Sequence, residues 1–152
     1  SYDDLDDLYG EVIMDHYRHP KNRGEISNPD ISSEGFNPFC GDRIILELAI
    51  SKTGNIDRIS FNGEGCSISQ ATASMMTENI KGKSKSEALK LFESFRDMVT
   101  VGEINRHDAV HLGDLEILRS VSAFPVRIKC ATLSWHALQS ALSGERKPVS
   151  TE

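Results

Sequence analysis

The chain has 152 residues, of which 38% are hydrophobic and 26% charged, a composition typical of one soluble globular domain. No apolar run approaches the roughly 18 residues that a membrane-spanning helix needs. The net charge of −6, without a cluster of Lys and Arg, disfavours nucleic acid as a partner and suits docking on a basic patch of another protein. The acidic N-terminal sequence is unlike a basic and then apolar signal peptide, so we expect a cytoplasmic protein.

The predicted elements begin with a helix. Apolar residues recur at helical spacing from Tyr2 to Tyr17, and Pro20 predicts that this helix ends near Arg18 or His19. Residues 44–50 and 56–61 are rich in β-branched and aromatic side chains. They flank a turn at residues 53–55, which predicts an antiparallel hairpin, and a third strand is predicted near residues 31–36.

The second half of the chain is predicted to be helical. The apolar spacing predicts helices over residues 68–80, 84–98 and 131–142, the first two opening with a serine able to cap and the last ending at Gly144. Strands followed by helices predict an α+β fold, with a small antiparallel three-stranded sheet and helices packed on one face. We assign residues 1–146 to one domain and treat residues 147–152 as a flexible C-terminal tail.

The three cysteines are candidate metal ligands. Cys40, Cys66 and Cys130 each lie at a predicted turn or element boundary, and an odd number of widely spaced cysteines does not form a disulfide framework. Asp42 lies in the same turn as Cys40, where Gly41 permits a left-handed backbone. Three thiolates and one carboxylate complete a tetrahedral shell for zinc or iron.

The position of two cysteines favours the thiolate form. Cys66 precedes the helix predicted to begin at Ser67, and Cys130 precedes the last predicted helix, so unpaired amides and helix dipoles favour negative charge at both. The alternative is that all three cysteines are small core residues, because cysteine is often buried. Without a C-x-x-C pair, the spacing alone does not decide between the two.

Several ordered motifs carry a resemblance that covers nearly the whole chain. They are DHYRHPKNRG after the first helix, the CGD turn, GEGCSISQATAS, KGKS between two helices, and PVRIKC before the last helix. Together they resemble the U-type scaffold family of iron–sulfur cluster assembly, which includes the IscU and SufU proteins and the N-terminal domain of NifU. Lys129 stands where the IscU branch has histidine, and the segment between KGKS and PVR is longer. Both features resemble the SufU branch.

The resemblance implies an IscU-like, SufE/NifU-like fold and a zinc-dependent sulfurtransferase. Such a protein accepts a persulfide sulfur at Cys40 from a SufS-like cysteine desulfurase and passes it to downstream iron–sulfur assembly or recipient proteins. The alternative implied by the same family is a scaffold that assembles and transfers a [2Fe–2S] cluster, with Fe²⁺ bound by the same ligands. The metal ligands implied in either case are Cys40, Asp42, Cys66 and Cys130.

Basic residues near these ligands are candidates for tuning the site. Three thiolates and one carboxylate exceed the charge of Zn²⁺, so nearby cations would offset the excess. Arg43 follows Asp42, and Arg127 and Lys129 precede Cys130. Arg127, which belongs to the family motif, is the candidate catalytic residue beside Cys40.

Overall fold

The computed structural model describes residues 2–104, 111–144 and 148–151, with the backbone alone for residues 2–9. Over these ranges the chain has the predicted α+β fold, and none of its helices there is both long and apolar enough to cross a membrane. The elements in chain order are α1 (Tyr2–Arg18), β1 (Ile31–Asn37), β2 (Asp42–Ile50), β3 (Ile56–Glu64), α2 (Ser67–Ile80), α3 (Lys85–Val101), 3-10 turns (Gly113–Ala123), α4 (Pro125–Ser143) and β4 (Val149–Ser150).

The sheet has the order β3-β2-β1-β4. The three predicted strands pair antiparallel as expected, but β4 adds a fourth strand that runs parallel to β1. The N–H of Thr151 also donates to the carbonyl oxygen of Phe36 at 2.9 Å. Part of the predicted tail therefore covers the edge of β1, whose backbone groups would otherwise be unpaired. Two strand residues are too few to produce a readable alternation in the sequence.

The helices cover one face of the sheet, as predicted. Alternate residues of β2 point into the core, where Ile44, Leu46 and Leu48 are completely buried. The rings of Phe92 and Phe95 stack on that of Trp135, with centroids 5.8 and 4.9 Å away. This aromatic cluster joins α3 to α4 within the hydrophobic core.

Two helix starts differ in their caps. Ser84 caps α3 as predicted, in a capping box with Glu87. The N-cap of α2 is Cys66 rather than a serine, because its sulfur accepts the N–H of Ser69 at 3.4 Å. The second helix therefore begins with a candidate metal ligand as its cap.

The last helix begins earlier than predicted. Pro125 occupies its first turn, a position that proline favours because its missing N–H has no helical partner there. The start was not predicted because the β-branched residues of the PVRIK segment have low helix propensity. Cys130 is the sixth residue of α4, beyond the four N–H groups that a helix leaves unpaired. The expectation that Cys130 lies at a helix N-terminus is wrong.

Candidate metal centre

Cys40 lies in the turn between β1 and β2. Gly41 follows it with a φ of 69°, the left-handed conformation expected from the sequence. This turn leaves the Cys40 side chain exposed, whereas Asp42, the first residue of β2, is only 2% exposed. The turn therefore places one accessible thiol within 4.8 Å of one buried carboxylate.

Cys130 comes to this turn from α4. Its side chain is 1% exposed, and its Sγ lies 3.3 Å from Sγ of Cys40. The ligand atoms of Cys40, Asp42 and Cys130 all lie within 4.8 Å of one another. Residues separated by about ninety positions in the chain thus form one group of sulfur and oxygen donors.

Cys66 lies beside this group without being part of it. Its sulfur caps α2, while its backbone N–H donates to Oδ1 of Asp42 at 2.8 Å. All three cysteines line an open cavity of about 540 Å³. Of the four predicted ligands, the structure brings three within 4.8 Å of one another and places the fourth at the same cavity.

Gly65 makes the approach of Cys66 to Asp42 possible. Its φ is 152°, and a Cβ added there would lie 2.3 Å from Oδ1 of Asp42 and 2.8 Å from Oγ of Ser69. Only glycine leaves room for the loop before α2 to come this close to the carboxylate. Close packing against Asp42 and Ser69 therefore explains why glycine directly precedes Cys66 in the GEGC motif.

The thiols of Cys66 and Cys130 differ in acidity. A hydrogen bond with Cys130 and one from the Ser69 N–H lower the pKa of Cys66 from 9.0 to about 7, against the effect of burial. The hydrogen bond with Cys66, burial and the hydrogen bond with Cys40 all raise the pKa of Cys130. The pKa of Cys66 is therefore lowered mainly by Cys130 and only secondarily by the N–H groups at the start of α2, while the pKa of Cys130, inside α4, is raised.

Asn37 is a residue at the site that sequence reasoning missed. Its Nδ2 donates to Oδ2 of Asp42 at 3.0 Å and to Sγ of Cys130 at 3.4 Å. Asn37 and Asp42 are paired across β1 and β2 at the start of the turn. The available signal was its position just before Pro38, where the chain must be extended and leads directly into the cysteine turn.

The three candidate cations lie in different places. Arg43 pairs with Glu34 at the surface of the sheet. The guanidinium of Arg127 lies over the ring of Phe124, 4.7 Å from its centroid, at the wall of the cysteine cavity. The ammonium of Lys129 lies 4.3 Å from the ring centroid of Phe39. Arg43 thus has Glu34 as its ion-pair partner, and its role in offsetting the charge of the ligands stays a prediction.

The cavity opens among exposed apolar side chains. Phe39 beside Cys40 is 68% exposed, and Phe124 and Val126 at the start of α4 are more than half exposed. Large exposed apolar residues that surround a reactive group are typical of a surface that contacts another protein.

A second group of possible ligands lies between α1, α2 and the 3-10 turns. The ligand atoms of His16, Glu78 and Asp114 lie within 4.8 Å of one another. Nδ1 of His16 bonds to Oγ of Ser74, and Oδ1 of Asp114 accepts from Asn79. With both carboxylates exposed, these contacts are accounted for by packing between the elements.

The donors at the cysteine cavity fit a zinc ion. Thiolates and carboxylates are both ligands of Zn²⁺, and soft sulfur donors favour zinc and iron over magnesium or calcium. Cys130 and Asp42 are buried, and Cys40 closes the group from the solvent side. The side chains therefore constitute a candidate metal site on a protein surface.

Known proteins share this sequence and fold. Residues 8–143 match the family model described as the NifU-like N terminal domain. The zinc-dependent sulfurtransferase SufU of Bacillus subtilis (strain 168) is 50% identical over 142 residues, which cover 93% of each chain. The iron–sulfur cluster assembly scaffold protein IscU of Streptococcus pyogenes serotype M1 is 42% identical over 138 residues, covering 91% of this chain and 84% of the relative.

Solved structures agree with these relatives. A crystal structure of an iron–sulfur cluster assembly scaffold protein for the SUF system (FiSufU), from Fervidobacterium islandicum AW-1, superimposes with a TM-score of 0.80 at 36% identity, covering 87% of this chain and 94% of that chain. The N-terminal NifU-like protein of Brucella abortus has a TM-score of 0.79 at 18% identity, over 91% and 94% of the two chains, and shows the fold alone. The chain belongs to the NifU N-terminal-like family of iron–sulfur cluster assembly proteins, as its motifs predicted. Among its relatives it is similar to SufU.

Proposed function

We propose that this protein is a zinc-dependent sulfurtransferase of iron–sulfur cluster biogenesis, which accepts a persulfide sulfur at Cys40 from a cysteine desulfurase. The observation that carries the proposal is the contact of the exposed Cys40 with the buried Cys130, whose sulfur atoms are 3.3 Å apart. An exposed thiol can reach the sulfur of another protein, whereas a buried thiol cannot. The 50% identity to a relative named as a zinc-dependent sulfurtransferase supports this reading.

In this proposal the side chains that hold zinc are those at the cysteine cavity. Cys130 and Asp42 are the buried ligands, and Cys40 is the ligand open to solvent. Cys66 supplies the fourth donor from the start of α2, since a thiolate sulfur has enough lone pairs to keep the Ser69 hydrogen bond as well. When bound, zinc keeps the thiols deprotonated and protected from oxidation.

The proposed transfer is a thiol–persulfide exchange at Cys40. The Cys40 thiolate attacks the outer sulfur of the desulfurase persulfide, and a new S–S bond forms as the donor's S–S bond breaks. The donor cysteine leaves as a thiolate, and Cys40 carries the persulfide. The exchange is neutral in electrons, so it needs no external oxidant or reductant. A second exchange of the same kind passes the sulfur to the downstream assembly or recipient protein.

Arg127 is the proposed assisting residue. Its guanidinium lies at the wall of the cavity that contains Cys40, where a positive charge attracts an anionic persulfide. If Arg127 acts by its charge, Arg127→Lys will keep most of the transfer rate and Arg127→Ala will lose it with zinc retained. If the alanine variant transferred sulfur at the wild-type rate, Arg127 would have no role in transfer, and its side chain would serve only to pack on Phe124.

The exposed rim of the cavity is the proposed contact surface for the desulfurase. Phe39, Phe124 and Val126 are exposed there, and Lys129 and Arg127 lie over two of the rings. An apolar centre with cations at its edge is typical of protein interfaces. Its position brings a bound partner directly to Cys40.

A second candidate function is a scaffold on which a [2Fe–2S] cluster is assembled and then transferred. The specific observation in its favour is the donor set, because buried thiolates with a carboxylate suit iron as well as zinc. The relative from Streptococcus pyogenes is named a cluster assembly scaffold protein. In that case the cluster is cargo rather than a resident cofactor.

The deciding experiment combines metal analysis with sulfur trapping. The purified protein is assayed for bound zinc and iron, mixed with a cysteine desulfurase and cysteine, and alkylated to locate the persulfide by mass spectrometry. We expect one zinc per chain, faster desulfurase turnover, and the extra sulfur on Cys40. Cys40→Ser should keep the fold and lose the stimulation.

The scaffold function predicts a different result. Little bound zinc, little stimulation of the desulfurase and a stable cluster after anaerobic reconstitution would replace the sulfurtransferase proposal. Persulfide found on Cys66 with none on Cys40 would overturn the assignment of the acceptor.

A further inference from the structure

The side-chain amide of Asn37 joins two of the proposed metal ligands. The residue ends β1, its side chain is completely buried, and its Nδ2 donates to both Asp42 and Cys130. These are the two buried members of the ligand group, and they come from β2 and α4. The amide is therefore a direct bridge between a ligand on the sheet and a ligand on the last helix.

The two ligands determine which end of the Asn37 amide faces them: Nδ2 points to the ligands, and Oδ1 points away. Its Oδ1 is buried and has no hydrogen-bond partner in the described part of the chain. The reverse orientation would bring Oδ1 against the carboxylate of Asp42, with no proton between two acceptors once Asp42 is ionised. An unpaired buried carbonyl oxygen destabilises a fold. The Asn37 side chain therefore leaves its own oxygen unpaired, while its nitrogen makes hydrogen bonds to both ligands.

The same amide compensates for negative charge. Its Nδ2 donates to the carboxylate and to the sulfur, while the guanidinium of Arg43 is paired with Glu34. Hydrogen bonds from outside a metal site orient the ligands and reduce the repulsion between them. Among the described side chains, Asn37 is the neutral donor that serves both buried ligands.

We infer that Asn37 is a positioning residue of the metal site, which holds the Asp42 carboxylate and the Cys130 sulfur at the separation that metal binding requires. The inference rests on the proposed metal site. Because Asn37 pairs with Asp42 across the hairpin that carries Cys40, its side chain also connects the cysteine turn to α4. The residue acts on the metal through its ligands and does not itself bind it.

The test uses Asn37→Leu, which keeps the approximate size of the side chain and removes both the donors and the unpaired oxygen. Zinc affinity of the reduced full-length chain is measured by competition with a chromophoric chelator, and Co²⁺ is used as a spectroscopic probe of the ligands. We expect zinc affinity to fall about 10- to 100-fold and the Co²⁺ absorption bands to shift. The urea midpoint of the metal-free protein should fall only modestly, because the buried Asp42 carboxylate loses one donor while the unpaired Oδ1 is also removed.

Two further variants keep the test decisive. Asn37→Ser retains one donor and should give an intermediate affinity, so it replaces the leucine variant if that variant does not fold. Asn62→Leu is the matched control, because Asn62 is also a strand asparagine whose Nδ2 donates a hydrogen bond, to the carbonyl of Gly24 at 3.0 Å. It should leave zinc affinity and the Co²⁺ spectrum unchanged.

The outcomes separate this inference from the proposed function. Unchanged zinc affinity in both Asn37 variants would overturn the positioning role while leaving the zinc site intact. A loss of stability in the metal-free protein together with an unchanged Co²⁺ spectrum, and a fall in zinc affinity no larger than that of Asn62→Leu, would show a purely structural role and would also overturn it. If the wild-type chain binds no zinc, the proposed function itself fails.

Discussion

The backbone N–H of Cys66 donates a hydrogen bond to Oδ1 of Asp42, with 2.8 Å between nitrogen and oxygen. This contact ties the start of α2 to the start of β2, so the two loops that carry Cys66 and Cys40 are held by one buried carboxylate. The other carboxylate oxygen accepts from Asn37. Asp42 therefore joins the two loops and Asn37 by hydrogen bonds, independently of any metal binding.

Removing this carboxylate should affect both stability and metal binding. Asp42→Ala leaves the N–H of Cys66 and the amide of Asn37 without their acceptor, and we expect a loss of about 1–3 kcal/mol in the free energy of unfolding of the metal-free protein. Zinc affinity should fall as well. Urea denaturation and chelator competition measure the two effects.

Asp30→Ala is the matched control for this variant. Oδ2 of Asp30 accepts the backbone N–H of Ile50 at 2.7 Å, far along β2 from the cysteines. It should cost some stability and leave zinc affinity unchanged. Equal effects of the two variants on zinc affinity would contradict a specific role for Asp42.

Gly65 should tolerate no side chain. In Gly65→Ala the new Cβ would lie 2.3 Å from Oδ1 of Asp42, so the loop must move away from the carboxylate. The positive φ alone costs about 1–3 kcal/mol, and we expect an additional loss of zinc affinity because Cys66 moves with the loop. Gly24→Ala is the control, since its φ is 136° and its Cβ would meet nothing within 4 Å. If Gly24→Ala weakened zinc binding as much, backbone strain alone would explain the result.

His136 should make stability depend on pH. Burial, followed by the charge of Arg96, lowers the pKa of His136, so the unfolded chain binds a proton more readily than the folded one. Its contribution to stability is therefore complete above the ordinary histidine pKa of about 6.5 and is lost as the pH falls below it. Urea midpoints of the metal-free protein between about pH 5 and 7 should decline towards acid, and His136→Gln should flatten this decline. An identical decline in the variant would exclude His136 as its source.

The short strand β4 should stabilise the end of β1. Thr151→Pro removes the N–H that donates to the carbonyl of Phe36 at 2.9 Å, and we expect a loss of about 1 kcal/mol. Amide hydrogen exchange should also become faster at the end of β1, next to the cysteine turn. Thr151→Ala keeps the backbone donor, loses only the longer hydroxyl contact to Phe36 at 3.5 Å, and should lose less stability than Thr151→Pro. Equal stability of the proline variant would show that β4 contributes nothing measurable.

Much of the local structure was readable from the sequence. Pro20 marked the end of α1, the spacing around residues 53–55 marked the β2–β3 hairpin, and Ser84 marked the start of α3. These signals are local, since each depends on the backbone preferences of a few neighbouring residues. The family motifs extended the prediction to the overall fold and to a set of candidate ligands.

The elements whose bounds were predicted wrongly, or that were not predicted at all, depend on contacts between residues far apart in the sequence. The start of α4 was set too late, because β-branched residues after Pro125 are poor helix formers unless packing supports them. Residues 149–150 gave no strand signal, because their pairing depends on the free edge of β1. Both misses arise where tertiary contacts override local preference.

The sequence by itself determined which atoms were available for chemistry: three thiols, one nearby carboxylate, and a glycine that allows the Cys40 turn. Only the tertiary structure decided how they are used. It buries Cys130 while leaving Cys40 exposed, assigns Cys66 to the cap of α2, and brings in Asn37 as a bridge. The physical reason is that burial and hydrogen bonding depend on which elements pack together, and the contact between α4 and the β1–β2 turn joins residues 90 positions apart in the chain.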